Sequence, residues 1–149
     1  MRAVVQLVDN ASVTVQDQLI GQIQRGLLVL LGVNAQDSLA DAEYLVDKVT
    51  KLRIFPDKAG KMNLSVREIG GELLVVSQFT LYGDCRKGRR PGFDQAADPT
   101  KAQQLYEYFT NQCRLQQIEV ATGQFRSEMI VTSTNHGPVT ILLDSTKAF

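Results

Sequence analysis

Two runs in this chain are apolar at every position. Leu27 to Leu31 is closed off by Gly26 and Gly32, and Leu73 to Val76 runs directly into Ser77-Gln78-Phe79-Thr80. A strand with one wet face alternates polar and apolar residues, so a strand with no polar position must be covered on both faces. The stretch from Gly26 to Val33 is far too short to span a bilayer, so the cover has to be protein. At 149 residues the chain is expected to be one domain with a core large enough to need no staples.

The rest of the pattern supplies the cover. Arg2 to Val8 reads as a strand. Ser12 to Val15 and Leu19 to Ile23, around Asp17 and Gln18, read as a hairpin. Ser38 is an N-cap with Asp41 three residues on, and Leu39, Ala42, Leu45, Val46, Val49 and Leu52 form one helical stripe. A second helix is expected from Asp98-Pro99, burying Ala102, Leu105, Phe109 and Cys113. Ile118 to Thr122, Met129 to Ser133 and Val139 to Leu143 read as further strands, and Gly83 to Pro99 as a long loop. Two helices cannot cover so much sheet, so a second sheet must cover part of it.

Charge and cysteine content exclude several classes. Sixteen Lys and Arg against sixteen Asp and Glu give no net charge, so a protein that coats nucleic acid is excluded and any RNA contact must come from a local patch. Two cysteines, Cys85 and Cys113, do not make a disulfide framework and read as reduced thiols in the cytoplasm. The N-terminal stretch meets Asp9 too early for a signal peptide. No metal or cofactor is expected. The single histidine, His136, shares no ligand spacing with the cysteines, and there is no P-loop, dinucleotide fingerprint or G-x-S-x-G elbow.

Three segments carry chemistry. Ser77-Gln78-Phe79-Thr80-Leu81 places hydroxyls and an amide where a buried strand leaves the core. They can line a pocket, or they can satisfy the strand's own backbone. Asn135-His136-Gly137-Pro138-Val139-Thr140 lies between two expected strands. It can be a plain hairpin turn with a trans proline, or a rigid turn that fixes carbonyl positions. Arg86-Lys87-Gly88-Arg89-Arg90 is either a solvated loop or a grip on a phosphate backbone.

Together these segments resemble the D-aminoacyl-tRNA deacylase family, whose S-Q-F-T-L and N-x-G-P-V-T motifs match residues 77–81 and 135–140. Arg53-Ile54-Phe55, Gly60 to Ser65, Gly70 to Val76 and the basic loop also match, so the likeness runs from Met1 to about Asp144. A related animal deacylase has a changed first motif, and the intact one here argues against it. One stretch departs. Where the family often has G-x-F-G-A-x-M, this chain keeps Phe125 and Met129 but carries Arg126 and Ser127.

The resemblance implies an α+β fold of two stacked β-sheets with two main helices packed on one face, in β/β/α layers, and residues 145–149 as a loose tail. It implies hydrolysis of the ester between a D-amino acid and the 3′ end of tRNA, with glycyl-tRNA as a further substrate. The chain would be a cytoplasmic homodimer with its active sites at the subunit interface, without DNA or membrane partners. Ser77, Gln78, Phe79 and Thr80 would be catalytic. Gly137, Pro138, Phe125 and Met129 would bind substrate, with Gly137-Pro138 a cis pair entering the partner's pocket. Arg86, Lys87, Arg89 and Arg90 would hold tRNA. Two other readings stay open: Thr80 as a nucleophile that forms an acyl-enzyme, which needs an activating base, and a non-catalytic RNA-binding module, which usually shows an aromatic stacking platform.

Overall fold

A computed structural model describes residues 1–149. β1 (Arg2–Val15) pairs antiparallel with β2 (Gln18–Ile23) through its C-terminal half and with β3 (Gly26–Gly32) through its N-terminal half. α1 (Leu39–Lys51) and a small ribbon of β4 (Phe55–Pro56) and β5 (Met62–Leu64) lead to β6 (Glu72–Ser77), which lies parallel to β3. After β6 comes a single 3-10 turn (Phe79–Tyr82), then α2 (Pro99–Leu115), β7 (Glu119–Thr122) parallel to β6, and β8 (Ile130–Asp144) antiparallel to β1. The strand order is β2-β1-β3-β6-β7, with β8 on the other edge of β1.

Both faces of β3 and β6 are covered. Leu27, Val29, Leu31, Leu73 and Val75 pack with Leu45, Val49, Leu105 and Phe109 of the helices. Leu28, Leu74 and Val76 pack on the opposite face with Val8, Ala11 and Val13 of β1 and Ile23 of β2. The two sheet layers are therefore one hydrogen-bonded sheet folded over itself through β1. Ala3, Val5 and Leu7 belong to the helix-side core, and the next residue, Val8, belongs to the other.

The helix signals act as the residues dictate. The Asp41 carboxylate accepts from the Ser38 N–H at 2.8 Å and the Ser38 hydroxyl at 2.9 Å. The Asp98 carboxylate accepts from the N–H groups of Thr100 and Lys101, satisfying donors that a helix start leaves free. Leu39, expected on the apolar stripe of α1, is instead 53% exposed. No helix is long and apolar enough to cross a membrane.

Three strand boundaries differ from the pattern reading. Arg2–Val8 and Ser12–Val15 belong to one strand, and the hairpin turn sits at Gln16-Asp17, both at positive φ, rather than at Asp17-Gln18. Apart from Met129, which precedes it, Met129–Ser133 and Val139–Leu143 fall within β8, which pairs with β1 on both sides of residues 136–139, so the Asn135–Thr140 motif is no hairpin turn. Gln6 pairs with Thr140 and Val8 with Asn135, so Leu7 alone faces residues 136–139, which bulge out of the ladder. The Gly137-Pro138 peptide within this bulge is cis. The C-terminal residues are tied down as far as Lys147. The Ser145 N–H donates to the Met1 carbonyl at 2.8 Å, and the Lys147 N–H to that of Asp144 at 3.0 Å.

Phe109 is fully buried at the centre of the helix-side core. Phe109→Ala should cost about 3–5 kcal/mol, measured as the midpoint shift in urea unfolding. A loss below about 1 kcal/mol would place this side chain outside the tight core.

Candidate active site

The chain leaves β6 pinned to the end of β3. The Gln78 N–H donates to the Leu31 carbonyl at 2.8 Å, and the backbone then winds into the Phe79–Tyr82 turn. Gly32 makes room for it. A Cβ there would lie 3.0 Å from the Gln78 carbonyl oxygen and 3.1 Å from Leu81 Cβ. Within the turn the Leu81 N–H donates to the Gln78 carbonyl at 3.3 Å. The N–H groups of Phe79 and Thr80 come before this first bonded donor, as at any helical start. The Gln78 side-chain amide donates to the Thr80 hydroxyl. Phe79 is 55% exposed and meets the edge of Phe93 at 5.0 Å between centroids.

A cavity of about 580 Å³ opens beside the turn. Ser77, Gln78 and Phe79 line it from β6 and the turn, Pro99 and Ala102 from the first turn of α2, and Phe125 to Met129 from the loop between β7 and β8. Phe125 is backed by Tyr106 at 6.0 Å between ring centroids. The buried Tyr106 hydroxyl donates to the Val75 carbonyl at 2.7 Å, which ties α2 to the last residues of β6. Burial pushes the Tyr106 hydroxyl up to about 12, so it stays a neutral donor there.

Ser77, Gln78, Phe79, Phe125 and Met129 are therefore brought together around one space. Thr80 is exposed beside it and is not part of the lining. Gly137 and Pro138 do not line the cavity of their own chain; they sit exposed in the β8 bulge. The bulge is braced at its base. The Asn135 side chain accepts from the Val139 N–H at 2.9 Å and donates to the Thr140 hydroxyl at 3.3 Å. His136 Nδ1 lies 2.9 Å from an Asp9 carboxylate oxygen, so the one histidine is engaged away from the cavity.

The basic loop is exposed throughout. Arg86 is held by Asp84 at 2.9 and 2.6 Å, and these bonds hold the Asp84 carboxyl down at about 2. Lys87, Arg89 and Arg90 stand outside every ion pair. Pattern reading gave Pro99 and Ala102 only helix roles and did not assign them or Glu128 to the site, yet all three line the cavity. The helix-start signal at Asp98-Pro99 was legible, but nothing local shows that this end of α2 abuts the end of β6. A second cavity of about 620 Å³ shares Ser127 and Glu128 with the first; its other residues include Thr14, Gln16, Asp17 and Gln18, and it has no cation and no histidine.

A family model described as D-Tyr-tRNA(Tyr) deacylase matches residues 4–144. The chain is 60% identical over 149 residues to a D-aminoacyl-tRNA deacylase of Clostridioides difficile (strain 630), with all of both chains covered. It is 58% identical over the same length to one of Thermotoga petrophila, again with both covered in full. Among solved structures, a c-Myc DNA unwinding element binding protein superposes with TM-score 0.91 at 40% identity, covering 97% of this chain and 98% of the other. A probable eukaryotic D-amino acid tRNA deacylase superposes at 0.84 and 19% identity over 96% and 98% of the two chains, which shows the shared fold. Matched from Val4 to Asp144 and more than half identical to full-length relatives, the chain belongs to the D-aminoacyl-tRNA deacylase family, hydrolases that act on aminoacyl-tRNA.

Proposed function

We propose that this enzyme cleaves D-aminoacyl-tRNA in the cavity beside the Phe79–Tyr82 turn, as a homodimer in which the Gly137-Pro138 bulge of each protomer closes its partner's cavity. What supports this most is a complementarity within one chain. A lined cavity stands open at the end of β6, and a braced backbone bulge projects into solvent from β8. β8, the strand that carries the bulge, also exposes Ile130, Val131 and Leu142, apolar area suited to a two-fold interface.

The chemistry asks little of side chains. An aminoacyl ester is already activated, and water can attack it without a protein nucleophile. The 2′-hydroxyl of the terminal adenosine, beside the ester, assists that water, so the engagement of His136 elsewhere costs nothing. The protein's part is to receive negative charge on the carbonyl oxygen. The N–H groups of Phe79 and Thr80 are the donors for it, and one such donor is worth about 3 kcal/mol in a transition state. Thr80 then positions substrate or water rather than attacking.

Thr80→Ala should therefore retain kcat within about tenfold of wild type, in contrast to the loss of a nucleophile. Isolation of a threonyl acyl-enzyme after rapid quench would contradict this role.

Handedness follows from where the wall stands. A D- and an L-residue differ only in the direction in which the side chain leaves Cα. Backbone cannot rotate aside as a side chain can, and a proline ring stiffens it further. A wall of Gly137-Pro138 backbone on one side of Cα refuses the L side chain. Glycine has no side chain to refuse, so glycyl-tRNA enters. Gly137 is at φ +121°, a conformation L side chains rarely adopt, and a Cβ there would lie 2.7 Å from Val139 Cγ2, so either Val139 or the bulge backbone must give to accept one. Gly137→Ala should lower the ratio of D- to L-aminoacyl-tRNA cleavage by at least about tenfold, read from kcat/KM for the two esters. Ready cleavage of a bulky L-ester by wild type would defeat the proposal outright.

The free cations of the basic loop are placed to take tRNA phosphates. Arg89→Gln with Arg90→Gln should weaken binding to different tRNAs alike and reduce the salt slope by about one unit for each phosphate no longer neutralised. An unchanged slope would assign the loop to solvent.

A further inference from the structure

We infer that Arg2 is a positioning residue for the deacylase site, holding the Phe79–Tyr82 turn in register through the Leu81 carbonyl. This rests on the reading that the turn receives the ester. Arg2 sits at the start of β1, where its Cα is paired with Gly32 of β3 on one side and Asp144 of β8 on the other. Three strand ends thus meet beneath the turn, and Gly32 is the residue on which the turn is seated.

The guanidinium spans this meeting point. Its Nε donates to Asp144 Oδ2 at 2.9 Å and its Nη1 to the Leu81 carbonyl at 3.1 Å, while its carbon lies 4.6 Å from the centroid of the Tyr82 ring. Asp144 is a fixed post. Its side chain is buried, and its other oxygen accepts from the Thr146 N–H at 2.7 Å and the Thr146 hydroxyl at 2.6 Å. Leu81 lies at the end of the turn, where carbonyls run out of helical donors. One planar cation thus joins a buried carboxylate to a turn whose Phe79 and Thr80 are exposed.

Arg2 does not line the cavity, so it acts through the turn. A displaced turn misaims the N–H groups of Phe79 and Thr80 toward the developing oxyanion, which matters more in the transition state than in the bound ester. Lysine can pair with Asp144 as a point charge but lacks the planar fork that also reaches Leu81 while lying over Tyr82. Arginine is therefore required at this position, beyond a positive charge.

The test compares Arg2→Lys and Arg2→Ala with wild type, with rates normalised to the folded fraction. For Arg2→Ala, kcat on D-aminoacyl-tRNA should fall at least about tenfold with KM changed less than about threefold, and Arg2→Lys should fall between. Hydrogen exchange should quicken at the Leu81 and Gly83 amides, the bonded donors of the turn, while core amides such as that of Val75 stay protected. A purely structural role would quicken all amides together and leave the normalised kcat unchanged, which would overturn the inference. Ser77→Ala and Phe79→Ala are assayed in parallel. If they lower activity and the Arg2 variants do not, Arg2 has no positioning role and the site stands. If none of them lowers activity, the site itself is elsewhere and the inference falls with it.

Discussion

β1 hydrogen-bonds along both of its edges for most of its length. On one edge it pairs with β3 and then β2; on the other it pairs with β8 from Arg2 to Thr14. Because each half of β1 serves a different core, the strand must change its buried face on the way. It does so at Leu7 and Val8, consecutive residues that are both buried. β3 keeps plain register through this point, with Leu7 opposite Leu27 and Val8 opposite Gly26, but β8 does not. On β8 the ladder breaks there, and residues 136–139 are left over opposite Leu7. The Gly137-Pro138 bulge thus sits on the β8 edge where β1 changes its buried face, and it projects because residues 136–139 have only Leu7 opposite them.

The other half of the proposed site comes from the opposite requirement. β6 is covered on both faces, so no polar group can enter the sheet until the strand ends. Ser77 and Gln78 come at that end, where the first polar side chains meet the N-terminal turn of α2. Besides backbone N–H groups and an aromatic wall, the cavity offers the side chains of Ser77, Gln78, Arg126, Ser127 and Glu128, with no histidine or cysteine among them. That inventory suits an ester, which brings its own reactivity and needs no protein nucleophile.

Much of this was legible from residue order. The all-apolar runs required a doubly covered sheet, the caps at Ser38 and Asp98 placed both helices, and the motif residues at 77–79 do line a cavity. What was not legible is how segments continue through polar interruptions. Asp9-Asn10 reads as a break between strands, yet β1 runs through it, with Asp9 reaching His136 and Asn10 paired with Thr134. Asn135 to Pro138 reads as a turn for the same reason, since only the long-range register to β1 makes it a bulge. Arg126, Ser127 and Glu128 have no periodicity to mark them as a cavity wall, and Arg2 looks like an ordinary surface cation until Leu81 and Asp144 are brought to it.

The central claim is that the ester lies between the Phe79–Tyr82 turn of one protomer and the Gly137-Pro138 bulge of its partner. A crystal structure with a non-hydrolysable D-aminoacyl-adenosine analogue tests it most directly. The account predicts the analogue's carbonyl oxygen about 3 Å from the N–H groups of Phe79 and Thr80, with the partner's bulge against the Cα face where an L side chain would stand. An analogue seated in the cavity of Thr14, Gln16 and Asp17, or bound beside the turn with no second protomer near it, would contradict it.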